Sequence, residues 1–245
     1  TEYLVQHTQP EIVFHLAGPV NPGDTPELRS ILRSGIVDAT ASVIDATKTA
    51  GARLIHAGTC AEYGSCESPH NEDSPPQPQS PYGELKWMAS QLVLAAGGTV
   101  LRPFRAIGPG DQNSVVASAA TAALNGHEFP MTEGSQVREW NHVKAVAHGF
   151  VAAAAHPATG GQIINIGGGE TRSVIEVIET VFRLAGAPES LIQRGALAQR
   201  KGEVDLLAGN HERAQRLWGT IQQPNLDDTL MQAVNWIKNA RGDAA

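Results

Sequence analysis

The chain has 245 residues, 41% of them hydrophobic, with 25 acidic against 18 basic side chains, a formal net charge of −7 and a pI near 5.7. That length buries a real core as one domain or as a domain with a smaller lobe, and the acidic balance excludes a nucleic-acid platform, which needs a clustered basic face. No stretch approaches the roughly 18 consecutive apolar residues of a membrane span, and Thr1-Glu2-Tyr3-Leu4-Val5-Gln6-His7 lacks the parts of a signal peptide, so a cytoplasmic protein without a membrane partner is expected.

The first element is Glu11-Ile12-Val13-Phe14-His15-Leu16-Ala17-Gly18, an apolar run closed by Gly-Pro, which predicts a strand buried on both faces of a parallel sheet. Residues 26–50 predict a long helix, with Leu32, Ile36, Val37, Val43, Ile44 and Ala46 as its apolar positions and Gly51 near its stop. Leu54-Ile55-His56-Ala57-Gly58-Thr59-Cys60-Ala61-Glu62-Tyr63-Gly64 predicts a strand running into a tight loop. Thr59 then lies at the strand's C-terminal end, where open α/β sheets place their ligands. Cys60 and Cys66 are too few for a disulfide scaffold and are not at zinc spacing. The nine histidines include no His-Glu-x-x-His, so no metal is expected.

A polar, proline-containing loop follows, up to Ser80-Pro81-Tyr82-Gly83-Glu84-Leu85-Lys86, where a helix is expected to begin and run to about Ala96 before Gly97-Gly98. Tyr82 and Lys86 then share one face. A phenol of ordinary pKa near ~10 moves protons poorly at neutral pH, and an ammonium one turn away stabilises the phenolate and draws that pKa down. Thr99-Val100-Leu101-Arg102 predicts a short strand, 114–125 an alanine-rich helix, 144–156 a further helix and Gln162-Ile163-Ile164-Asn165-Ile166 a strand. Gly167-Gly168-Gly169-Glu170 is expected to be a structural turn, since it does not fit Gly-x-Gly-x-x-Gly. Helices are expected at 173–186 and 227–239.

The order Thr-x-x-x-Tyr-Gly, then an acidic, proline-rich loop, then Ser-Pro-Tyr-x-x-x-Lys resembles the extended short-chain dehydrogenase/reductase family that acts on nucleotide-sugars. Further motifs keep the family's order. Leu16-Ala17-Gly18 matches the segment lying along the dinucleotide at the end of the fourth strand. Pro103-Phe104-Arg105-Ala106-Ile107-Gly108-Pro109-Gly110 is similar to the Arg-Pro-Phe-Asn-x-x-Gly-Pro-Gly loop beside the nicotinamide and sugar, with Arg105 replacing the usual asparagine. Val137-Arg138-Glu139-Trp140-Asn141-His142-Val143 resembles Arg-Asp-Phe/Tyr-Ile-His-Val, and Gln199-Arg200-Lys201-Gly202-Glu203 resembles Arg-x-Gly-Asp/Glu.

The resemblance implies an α/β fold, a Rossmann-like parallel sheet truncated at its N-terminus, with a small α/β substrate-binding lobe. Residues 1–104 and 140–170 would form the dinucleotide-binding core, and 105–139 and 171–245 the lobe. It implies Thr59, Tyr82 and Lys86 as catalytic residues; Leu16, Ala17, Gly18, Tyr82, Lys86 and Pro103 as contacts to NAD or NADP; and Thr59, Arg105, Arg138 and Arg200 as contacts to a nucleotide-diphosphate sugar. His142 is expected to be structural. A homodimer through the helices at 26–50 and 82–96 is also implied. Tyr82 would exchange a proton with the oxygen at sugar C4 while Lys86 holds the nicotinamide ribose. Dehydratases of the family carry an Asp-Glu pair directly after the threonine, and Cys60 and Ala61 stand there instead, which argues against dehydration. Epimerase and 4-ketoreductase both stay open.

One motif is missing. No strand leads into Gly-x-Gly-x-x-Gly or Gly-x-x-Gly-x-x-Gly anywhere in the sequence, although only such glycines let backbone N–H groups close on a pyrophosphate at a helix start. The expectation is therefore a fragment or a shortened member without the first βαβ unit. A catalytically silent nucleotide-sugar binder or assembly subunit is the competing expectation.

Overall fold

The computed structural model describes residues 2–20, 23–199 and 202–242. In chain order they form α1 (Glu2–Thr8), β1 (Ile12–His15), α2 (Pro26–Arg33), α3 (Ala39–Ala50), β2 (Arg53–Ala57), α4 (Pro81–Ala95), β3 (Thr99–Pro103) and β4 (Arg105–Ile107). There follow α5 (Val115–Asn125), β5 (Phe129–Pro130), β6 (Val137–His142), α6 (Val143–Ala155), β7 (Ile163–Ile166) and β8 (Glu170–Ser173). The remainder comprises α7 (Val174–Ala185), β9 (Ile192–Gln193), β10 (Leu206–Leu207), α8 (Glu212–Trp218) and α9 (Leu226–Gly242). No helix among the described residues is long and apolar enough to cross a membrane.

The chain divides into two compact units, the first holding the residues up to Phe104, Ala147–Ile166 and Gly209–Thr220. The second holds Arg105–Val146, Gly167–Ala208 and the residues from Ile221 on.

In the first unit, β1, β2, β3 and β7 form a parallel sheet in that order. Parallel neighbours need a crossover, and helices supply it: α2 and α3 join β1 to β2, and α4 joins β2 to β3. Thr25 caps the first of these helices by accepting a hydrogen bond from the Leu28 N–H, with Pro26 in the first turn. The run continues through a π-helical stretch, Ser34–Asp38, into α3, which ends on Gly51 at φ 66°. Val43, Ile44, Leu54, Val93 and Val100 pack into one core, and Leu32, Ile36, Val37 and Ala89 into another that also takes up Leu28, Tyr82 and Leu85. The expectation that β1 is buried on both faces is corrected. Among the described residues it pairs only with β2, so it is an edge strand, and Phe14 stays 42% exposed against Phe150.

In the second unit β6 is central, parallel to β10 and β4 and antiparallel to β8. Its core joins one face each of α5, α7 and α9, with Val116, Ala120, Val177, Val181, Leu230 and Val234 among the contacts. The triglycine is a structural turn, as its pattern predicts. The Gly168 N–H donates to Glu139 Oε1 at 2.8 Å and the Gly169 N–H to Asn141 Oδ1 at 2.8 Å, so neither faces a phosphate. A Cβ on Gly169 would lie 1.9 Å from the Trp140 carbonyl oxygen, which only glycine tolerates.

Candidate active site

The site is built where β2 ends. Thr59 is extended and caps the single 3-10 turn Cys60–Glu62: its Oγ1 accepts from the Ala61 N–H at 3.2 Å, while Glu62 Oε1 accepts from the Thr59 N–H at 2.9 Å. This reciprocal arrangement is a capping box. Glu62 is fully buried, and its other bonds explain why a carboxylate tolerates that. Oε1 also accepts from the Ser90 hydroxyl at 3.0 Å, and Oε2 takes a two-pronged bond from Arg102, 2.9 Å from Nε and 2.8 Å from Nη2. The Arg102 guanidinium lies 4.4 Å over the Tyr63 ring, and the Tyr63 hydroxyl donates to Asn165 Oδ1 at 2.6 Å. Loop, β3, α4 and β7 thus fix the Thr59 backbone from behind.

Tyr82 enters from the first turn of α4, which Ser80 caps through the Gly83 N–H at 3.1 Å with Pro81 at the helix start. Gly83 is required there, because a Cβ would lie 2.7 Å from the Ala61 carbonyl oxygen, and its absence lets the helix close on the Thr59 loop. The Tyr82 hydroxyl comes close enough to the Thr59 side chain for Thr59 to act on its ionisation. Burial pushes the phenol up to about 12; Thr59 pulls it down, and Cys60 and Glu62 push it further up. Lys86 is not among the groups that move it, so the expected depression by the ammonium is absent in this state. The reason is where Nζ goes. Lys86, buried one turn along α4, donates to the Ala57 carbonyl oxygen and lies 3.2 Å from His56 Nε2. Burial lowers its pKa to about 8, against a smaller raising effect of Glu62.

The structure therefore brings Thr59, Tyr82 and Lys86 together in the first unit. Leu16, Ala17 and Gly18 follow the C-terminal end of β1 in the same unit and are exposed, and Pro103 ends β3. Arg105 and Arg138 belong to the second unit. Arg105 is exposed on β4 with its guanidinium 5.5 Å from the Trp140 ring centre. Arg138 is buried: it pairs with Glu203 and donates to the Val137 carbonyl at 2.7 Å. His142 is held by the Lys144 N–H at 3.1 Å and sits 3.2 Å from Gln232 Oε1, a structural histidine as expected. Arg200 lies outside the described residues.

Sequence reasoning missed Glu62, Arg102 and His56. Glu62 had a signal: Thr59-x-x-Glu62 is the spacing of a capping box. Arg102 and His56 had none, since each sits inside a short apolar strand and finds its partner from a different element.

Comparisons with known proteins bear on this geometry. A model of the NAD dependent epimerase/dehydratase family matches residues 1–167. The UDP-glucose 4-epimerase of Rhizobium meliloti (strain 1021) is 26% identical over 263 residues, spanning 96% of this chain and 79% of that protein. The dTDP-glucose 4,6-dehydratase of Streptomyces griseus is 30% identical over 228 residues, 87% of this chain and 69% of that protein. Among solved structures, MoeE5 in complex with UDP-glucuronic acid and NAD is similar with a TM-score of 0.85 at 28% identity, over 94% of this chain and 80% of that one. The UDP-glucuronic acid 4-epimerase of Bacillus cereus, in complex with UDP-glucuronic acid and NAD, shares the fold with a TM-score of 0.90 at 23% identity, over 98% of this chain and 78% of that one.

Proposed function

Because the chain belongs to the NAD dependent epimerase/dehydratase family, we propose that it is a nucleotide-sugar 4-epimerase, binding a nucleoside-diphosphate sugar and moving a hydride at sugar C4 with Tyr82 as the proton-transferring residue. The observation that carries this reading is the convergence of Tyr82 and Thr59 at the C-terminal end of β2, where the Thr59 side chain acts on the phenol, with Lys86 buried one turn away.

The residues present fit the nicotinamide end of NAD. Lys86 Nζ makes two contacts within the described protein, to Ala57 and His56, and whether as an ammonium donating to both or as an amine accepting from His56 it keeps a hydrogen to offer a ribose hydroxyl. Leu16, Ala17 and Gly18 are exposed after β1 to lie along it, and Pro103 closes the set. When bound, NAD supplies the hydride acceptor and donor. The protein's part is the proton. As a phenol, Tyr82 donates to the C4 oxygen when a ketone is reduced; to accept a proton it must first ionise, which a cation brought beside it promotes. Thr59 donates to the same oxygen. Arg105, Arg138 and Arg200 are the cations for the diphosphate and sugar, Arg138 by sharing its guanidinium with Glu203.

A 4-keto-sugar reductase is the second reading, favoured by the state of Tyr82: held up to about 12, it is a proton donor at neutral pH. Dehydration fits poorly, since Cys60 and Ala61, directly after Thr59, offer no carboxylate. Exposed Ile31 on α2 and Trp87, Met88 and Leu92 on α4 support a homodimer through these helices.

A panel of UDP- and dTDP-sugars incubated with NAD and with NADPH tests this. A C4 epimer formed without net change in reduced-nicotinamide absorbance is the expected result. Stoichiometric NADPH consumption selects the reductase, and binding without conversion selects a catalytically silent nucleotide-sugar subunit.

A further inference from the structure

His56 has the wrong surroundings for a core histidine that merely fills space. It lies on β2 opposite His15 of β1 and Val100 of β3 and is 1% exposed. Its Nε2 is 3.2 Å from Lys86 Nζ, while its Nδ1 makes no hydrogen bond among the described residues. A neutral imidazole has one N–H and one bare nitrogen. If the hydrogen were on Nδ1, a buried donor would be left without an acceptor; with the hydrogen on Nε2 that donor is satisfied and only a lone pair is orphaned.

The charged groups that face the pair point the same way. His15, whose ring centre is 5.0 Å from that of His56, is itself turned towards Thr40, with Nε2 3.0 Å from that hydroxyl, and it adds no negative charge. Glu62 is the one carboxylate acting on Lys86, and Arg102 already neutralises it. Tyr82 on the same helix is a neutral phenol. Burial disfavours the charged forms of both His56 and Lys86, and Lys86 further disfavours charge on His56.

We propose that His56 is a positioning residue for Lys86: its Nε2–H donates to an uncharged Lys86 amine, which in turn donates to the Ala57 carbonyl, so that His56 fixes both the place and the charge of the lysine. The consequence for catalysis rests on the reading that Lys86 serves the dinucleotide and Tyr82; the pair itself does not. Burial lowers the Lys86 pKa only to about 8, so a bound dinucleotide meets this amine above that pH and, below it, the protonated form, the cation that promotes Tyr82 ionisation.

The test is nuclear magnetic resonance on the full chain labelled at histidine ring nitrogens and lysine side chains, with His56→Phe and Lys86→Met giving the assignments. Recorded above the Lys86 titration, the expected spectrum has the His56 hydrogen on Nε2. The Lys86 titration lies below those of the other lysines and shifts to higher pH by half a unit or more in His56→Phe, with His56→Gln, whose amide can still donate, restoring part of the effect. A hydrogen on Nδ1, or a Lys86 titration unmoved in both folded variants, overturns the proposal. Calorimetric titration of NAD against pH separates the two claims. Where the pair titrates as expected, NAD affinity following the Lys86 titration, with that dependence displaced in His56→Phe, supports the catalytic role. Affinity flat across that titration leaves the pair standing and removes Lys86 from the cofactor site.

Discussion

At the scale of single residues, the site depends on a carboxylate that touches no substrate in the proposed mechanism. Glu62 joins the Thr59 N–H, the Ser90 hydroxyl and the Arg102 guanidinium. Removing one partner of a buried ion pair leaves the other charge uncompensated, at a cost of about 3–5 kcal/mol. Glu62→Ala is therefore expected to lower the stability by that order in urea unfolding, whereas Ser90→Ala, which removes one neutral hydroxyl, is expected to cost about 1 kcal/mol. Equal, small losses would show that the pair does not organise the loop. That Thr59, Tyr82 and Lys86 lie near one another was legible in the sequence, because their spacing within loop and helix sets it. The direction of the Lys86 side chain was not, since it is set by a carbonyl and a histidine on a strand thirty or so positions earlier.

At the scale of elements, the helices were legible from caps and stops, and two glycines show what those signals mean. Gly51, at φ 66°, has nothing within 4 Å of the place a Cβ would take, so Gly51→Ala meets only backbone strain and is expected to cost about 1 kcal/mol. Gly64, at φ 59°, would place that carbon 1.8 Å from the Gln77 carbonyl oxygen, and Gly64→Ala is expected to cost several times more, read from the same unfolding curves. Similar losses at both would mean that the loop from Gly64 to Gln77 yields easily. The π-helical stretch at Ser34–Asp38 and the edge position of β1 were not legible. An apolar run such as Ile12-Val13-Phe14 reports burial of side chains, but whether a strand lies on each side is decided by other segments.

The same loop carries a pH-sensitive part. His70 is stacked on Tyr63 with the Phe104 ring nearly parallel 6.4 Å away, and burial pushes its pKa down to about 4. The fold favours the neutral ring, so as pH falls from the ordinary value of 6.5 the unfolded chain takes up the proton first, and stability is lost progressively towards pH 4. Thermal unfolding midpoints measured from pH 7 to pH 4 should fall more steeply for the native chain than for His70→Phe, and parallel curves would remove His70 as a cause.

At the scale of the whole molecule, the fold class was legible because short motifs occurred in one family's order along nearly the entire chain, which no single motif could have established. The assignment of segments to units was harder to read. Gly209–Thr220, with α8, belongs to the first unit because Arg213 donates to the Ile163 carbonyl at 2.9 Å and to Asp73 at 2.7 Å, partners far away in sequence. The proposed function requires Tyr82 to move a proton at a sugar oxygen. The most direct measurement is turnover of UDP-glucose with NAD by the native chain and by Tyr82→Phe, with UDP-glucose affinity determined for both by calorimetry. The native chain is expected to form the C4 epimer, and Tyr82→Phe to bind within a few-fold of it but to turn over at least about 100-fold more slowly. Equal turnover by the two proteins would contradict it.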